Sequence, residues 1–324
     1  MNQQNLSANS AINISENVIC ETSHLGIIKI SGDDATEFLQ GQFSNDVTLV
    51  NENTSQLNSY NSPKGRMYCS FQLCQKNSDY FMILPNDIME MVSKRLRMFV
   101  MRAKVEIEDI SQQWSSLGIA GKSLTGSSLN IPNEINATSQ REDGMLIRLP
   151  GTVERVIAIG NNAFVETLKQ PLVDSYKTAD HTHWKRLDIH AGIPNIYHTT
   201  LENFVPQMVN LPLVNGVSFN KGCYPGQEVV ARMHYLGKLK KRMYRITIDT
   251  QELPHPGDNI YESNTDNQQS VGEVVDAQFN SEGQVDSLAV IQVASAENNT
   301  LHLSKVHGPL IRIETLPYSF EQQK

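Results

Sequence analysis

Apolar and polar positions change period several times along this chain, and the changes mark out its elements. Leu25 to Ile30 is a short apolar run that ends at Ser31-Gly32-Asp33, which predicts a strand and a turn. Asp33-Asp34-Ala-Thr-Glu-Phe-Leu-Gln then opens a helix, with Ser or Asp at the cap, acid in the first turn, and Phe38 and Leu39 inward. Gln56 to Asn61 leads into the turn Ser62-Pro63-Lys64-Gly65-Arg66 and a strand from Met67 to Leu73. A hairpin across Lys76-Asn77-Ser78-Asp79 returns as Tyr80 to Leu84. From Asp87 to Met101, Ile88, Val92, Leu96, Phe99 and Val100 follow a helical period.

Val105, Ile107 and Asp109-Ile110 resume strand alternation, and Leu117 to Ala120 and Arg155 to Ile159 read as further strands. Between them lies a polar loop around Thr125 to Asp143. Trp184 to Ala191 reads as a helix stopped by Gly192-Ile193-Pro194. After Gly237 the texture changes. Short strands at Tyr244–Ile248, Pro254–Ile260, Val271–Val275 and Leu288–Val293 predict a small all-β barrel. The first 20 or so residues, rich in Asn, Gln and Ser, read as a mobile tail.

Composition narrows the class. With 324 residues the chain should hold two or three domains. A net charge of −8 argues against a dedicated nucleic-acid binder, because phosphate contacts need a basic face. No apolar run approaches the roughly 20 residues of a membrane span, and no leader segment is evident. The expectation is a cytoplasmic protein whose four cysteines (Cys20, Cys69, Cys74 and Cys223) are reduced.

Candidate chemistry concentrates in Lys221-Gly222-Cys223-Tyr224-Pro225-Gly226-Gln227-Glu228. One thiol sits in a Gly/Pro turn ahead of a helix whose Val229, Val230 and Met233 share a face. Helix N–H groups and Lys221 would both favour the thiolate, so Cys223 reads as a reactive or cluster-binding sulfur. The same residues also suit a small buried cysteine in a tight turn. Cys69 and Cys74, five apart on one strand, point to opposite faces and suit core positions better than one metal. His181, His183, His190 and His198 lack zinc spacing and read as polar surface. Lys238, Lys240, Lys241, Arg242 and Arg245 read as the solvated side of a strand, or as a local site for carboxylate or phosphate.

Several blocks together closely resemble the YgfZ family of folate-binding proteins, relatives of the glycine-cleavage aminomethyltransferase. They are the Lys221–Glu228 signature with Arg232, Asn203 to Leu211, Gly32 to Gln42 with Asn45-Asp46-Val47, Pro63 to Arg66, and Trp184 to Pro194. The resemblance implies an α+β, three-domain aminomethyltransferase-like fold with a C-terminal β-barrel. The implied domains are 21–48 plus 105–200, 49–104 plus 201–236, and 237–324. It also implies a monomer that binds tetrahydrofolate in a central cavity and supports iron–sulfur enzymes of tRNA modification, such as methylthiolation. Direct binding of tRNA stays open.

On the same resemblance Trp184 is the folate contact, and Leu25 stands where the family often carries a second aromatic. Cys223 is the reactive thiol, and Lys221, Gly222, Tyr224, Gly226, Gln227, Glu228 and Arg232 shape its turn. A shared iron–sulfur cluster at Cys223 would need ligands from elsewhere, since all-Cys clusters use four thiolates. The alternative is a folate-dependent aminomethyl transferase. Met67-Tyr68-Cys69-Ser70, where those enzymes carry an aspartate, holds no acid and argues against it.

Overall fold

A computed structural model describes residues 12–122, 124, 129–263, 269–298 and 300–320. Three β-structures organise them. The first is a six-stranded sheet of β1 (Val18–Glu21), β7 (Trp114–Gly121), β8 (Thr138–Arg141), β9 (Gly144–Leu149), β10 (Glu154–Asn161) and β11 (Lys177–Ala179), in the order β11-β1-β7-β10-β9-β8. The second has the order β3-β4-β5-β2-β6, from β2 (Leu25–Ser31), β3 (Gln56–Asn61), β4 (Met67–Lys76), β5 (Asp79–Pro85) and β6 (Glu106–Asp109). The third is a closed barrel of β12 (Lys241–Ile248), β13 (Asn259–Glu262), β14 (Gly272–Phe279), β15 (Val285–Gln292), β16 (Leu301–Leu303) and β17 (Leu310–Glu314). The α+β class and the C-terminal barrel are as the sequence predicts.

The α-helices of the described residues are α1 (Ala35–Gln40), α2 (Asn86–Val100), α3 (Asn162–Lys169), α4 (His181–Ala191), α5 (Gln227–Leu236) and α6 (Val293–Asn298). Helix α2 buries Ile88, Val92 and Leu96 and leaves Phe99 exposed. The β4–β5 hairpin turns at Asn77 and Ser78, both at positive φ, which matches the right-handed twist of the flanking strands. Cys69 packs into the core between the second sheet and α1–α2, Cys74 into the core between the two sheets, so the two thiols do face opposite ways. Burial pushes both thiols well above the ordinary thiol range.

Several expectations need correction. The tail gives way to structure by Ile12, which is buried, and Val18–Glu21 is a central strand of the first sheet. Its four residues are too few to show a period. An Asp does stand at the cap of α1, Asp34, but its carboxylate accepts from the backbone N–H of Lys104 instead of from the helix's own N–H groups. The polar loop contains β8; its residues 125–128, like tail residues 1–11, lie outside the described residues. Strand β2 pairs with β5 and β6, so residues 25–109 build one sheet while 18–21 and 114–179 build the other. A linear pattern does not encode which strand a given strand will pair with.

Candidate functional site

Helix α4 begins at Asp180, whose side chain accepts from the Thr182 N–H, and ends at Gly192 in the left-handed region (φ 66°). Gly192 lets the chain reverse into Pro194 and Asn195. Residues 184 and 188, one turn apart on the same face, therefore look into a cavity between the two sheets. It encloses about 70 Å³ of free space. Leu25 on β2, Ser70 on β4 and Arg155 on β10 line it with Trp184, Asp188 and Asn195.

Trp184 is 1% exposed. Its indole lies flat on Gly118 of β7, where a β-carbon would come within 2.3 Å of the ring, and the Arg155 guanidinium sits 5.4 Å from the ring centre. Arg155 Nη1 donates to Asp188 Oδ1 at 2.7 Å, its Nε donates to the Pro150 carbonyl at 2.6 Å, and Asn195 Nδ2 reaches Asp188 Oδ2 at 3.3 Å. Both oxygens of the one carboxylate lining the cavity are thus engaged. Ser70 Oγ donates to the Pro194 carbonyl at 2.6 Å and ties β4 to the helix stop. Arg155, Asp188 and Asn195 were not singled out from the sequence. Asp188 stands four residues after Trp184, and that spacing was the available signal.

The Cys223 segment is built differently from its sequence reading. Cys223 is exposed, but Lys221 does not serve it. Lys221 Nζ turns inward and donates to the carbonyls of Gln40, Phe43 and Asn45, each at 2.8 Å. Burial lowers the ammonium to about 8, opposed by the charge of Asp46. Three backbone acceptors at and just after the end of α1 capture the cation before the thiol can. Tyr224 is buried beneath it, with Lys221 Nζ 5.4 Å from its ring centre, and burial pushes the phenol far up. Gln227 Nε2 reaches the Lys221 carbonyl at 3.4 Å, while Gly222, Glu228 and Arg232 are exposed.

Of the expected apolar face of α5 only Val230 is buried; Val229 is exposed and touches Gly65. Gln207 donates to the Val230 carbonyl at 2.6 Å and Asn210 to the Met243 carbonyl at 2.8 Å, so Asn203–Leu211 ties α5 to the barrel. No residue of 221–232 lines the Trp184 cavity. Trp184 and Leu25 are brought together, and the thiol stands apart from them.

His183 is 2% exposed, against its reading as surface, and burial pulls it down to about 4. Its helix is packed on more than one side, which a weak amphipathic pattern does not reveal. Among the described residues no three His, Cys, Asp or Glu side chains converge as metal ligands.

The GCVT N-terminal domain description matches residues 4–123. A tRNA-modifying protein YgfZ of Colwellia psychrerythraea is 30% identical over 320 residues, spanning 96% of each chain. The chain belongs to the YgfZ family. A YgfZ of Photobacterium profundum is 30% identical over 308 residues, 92% of this chain and 90% of that one. The fold is shared with the glycine cleavage system aminomethyltransferase T of Bartonella henselae, at a TM-score of 0.71 and 12% identity over 94% of this chain and 86% of that one. Among the described residues no helix is long and apolar enough to cross a membrane.

Proposed function

We propose that this YgfZ-family chain is a folate-binding accessory protein of tRNA modification, acting in the cytoplasm in support of iron–sulfur enzymes. The observation that carries the folate reading is the convergence of Trp184 and Leu25 on one cavity, with a fixed polar edge of Arg155, Asp188 and Asn195. A flat heterocycle with several N–H and C=O groups suits such a site: apolar walls take its faces and the polar edge reads its rim. Tetrahydrofolate, when bound, supplies one-carbon carrier chemistry; the chain orients it and excludes water.

Aminomethyl transfer is the weaker reading. Strand β4 presents Ser70 to the cavity, and Cys69 turns away into the other core. The single cavity carboxylate, Asp188, is tied to Arg155, so it is poorly placed to stabilise a new positive charge. Cys223, exposed and outside the cavity, is positioned for a partner instead of for the bound folate. The chain has no converging ligand set for a resident cluster among its described residues, so the iron–sulfur link is assigned to the client enzymes.

The test is calorimetric titration of the pure protein with tetrahydrofolate. Saturable binding that weakens in Leu25→Ala and Trp184→Phe, with unchanged unfolding midpoints, supports the reading. Absence of binding, or binding that ignores both substitutions, removes it.

A further inference from the structure

Helix α4 has a second functional-looking face. Residues two apart on a helix lie about 200° round from each other, so Arg186 and His190 stand opposite Trp184 and Asp188. They look into a different cleft, between α4, the Asn13–Ile14 segment and the barrel, with Arg245, Asp286, Arg312 and Glu314 in its walls. Its free volume is about 390 Å³. No residue lines both cavities.

The hydrogen bonds of this cleft are unevenly satisfied. Asp286 Oδ2 lies 2.7 Å from His190 Nε2, and its Oδ1 accepts from Asn280 at 3.1 Å. Glu314 accepts from Thr247 Oγ1 at 3.3 Å and lies 3.8 Å from Arg245 Nη2. These acids are occupied. The donors are not. Arg186 is only 3% exposed; its Nη2 donates to the Ile12 carbonyl, but its Nε has no acceptor among the described residues. Arg312 is exposed, and its guanidinium has no hydrogen bond or ion pair among the described residues. A buried guanidinium N–H left without an acceptor is costly, and carboxylate or phosphate oxygens satisfy it best.

We propose that this cleft binds a small oxyanion, a carboxylate or a phosphate, between Arg186 and Arg312. The site does not rest on the folate reading, since the two cavities have separate walls. One rim residue opposes it: Glu282 lines the cleft from an exposed turn with its carboxylate unpaired among the described residues. That opposition makes the sign of the ligand measurable.

Full-length protein at low ionic strength would be titrated with glutarate and, separately, with inorganic phosphate. Saturable binding of either probe is expected; glutarate alone indicates a dicarboxylate, phosphate alone a phosphate ester. Arg186→Gln would also free the Ile12 carbonyl and could fail to fold, so the exposed Arg312 and Glu282 carry the test. Arg312→Gln should weaken binding about tenfold, and Glu282→Gln should tighten it severalfold. Trp184→Phe should leave it unchanged. No saturable heat with either probe at millimolar concentration overturns the proposal. So do affinities that ignore both rim substitutions, or that move in the opposite sense, as they would for a cation.

Discussion

The α-carbon of Gly65 occupies the space into which a side chain on Gly226 would grow. A β-carbon on Gly226 would lie 2.5 Å from it and 2.4 Å from the Ser62 carbonyl oxygen, and Gly226 itself has φ +80°. The Pro63–Arg66 turn and the Cys223 segment, far apart in sequence, are thus clasped backbone to backbone. Arg66 ties the same turn to a third segment by donating to the carbonyls of Glu202 and Asn203 at 3.0 and 2.7 Å. Gly226→Ala should therefore destabilise the protein by about 2–4 kcal/mol, from the left-handed backbone together with the overlap. Gly222→Ala, with nothing within 4 Å of its new methyl, should change stability by no more than about 0.5 kcal/mol. Urea unfolding of both variants checks the contrast.

Lys221→Met should also destabilise, by about 2–4 kcal/mol, because it leaves three inward carbonyls without their donor. The accompanying signature is faster amide exchange at residues 40–46 and 221–224. Unchanged exchange there would show that Lys221 does not hold the segment.

Arg155→Met should cost about 3–5 kcal/mol, since it strands the Asp188 carboxylate in a buried wall. Arg155→Met with Asp188→Asn should recover part of that loss. A thermodynamic cycle on the four proteins measures the coupling, and additive effects would mean the pair is inert.

Acid should weaken the fold through its buried histidines. Burial first, then the charge of Arg186, lowers His183 to about 4, and burial lowers His24 to about 3. The unfolded chain holds these protons more tightly, with an ordinary value of about 6.5. Their contribution is therefore complete above that value and is lost as pH falls through 6 toward 4. His183→Met should flatten this part of the stability profile, measured by denaturation at a series of pH values. A slope equal to that of the parent protein would assign the acid sensitivity elsewhere.

Cys223→Ser should leave stability and tetrahydrofolate binding unchanged, because the thiol is exposed and outside the cavity wall. It should abolish support of tRNA modification in cells lacking the native gene. Full activity of the serine variant would remove the thiol from the mechanism.

Much of the fold was legible because local chemistry and tertiary packing agree. Gly192 stops α4 where a left-handed residue is needed, Asn77-Ser78 makes a tight hairpin, and the barrel strands alternate at short spacing. Strands β1 and β8, four residues each, carry too few positions to show a period. The site was only half legible. Trp184 and Cys223 stand out by residue type and context. The direction of Lys221 is decided by carbonyls some 180 residues earlier in the chain, and nothing near Lys221 encodes them. Arg155 reads as an ordinary strand residue until the fold sets it against Asp188.

Helix α4 has no spare face. Trp184 and Asp188 serve one cavity, Arg186 and His190 the other, and Gly192 fixes where the helix must end. Inserting a single residue early in α4 would turn everything beyond it by about 100°, so both sets of wall residues would be misdirected at once. A one-residue change in the length of this segment should therefore disturb more of the two walls than most single substitutions within it. Natural variation here should arise by substitution, with insertions and deletions confined to the surrounding loops.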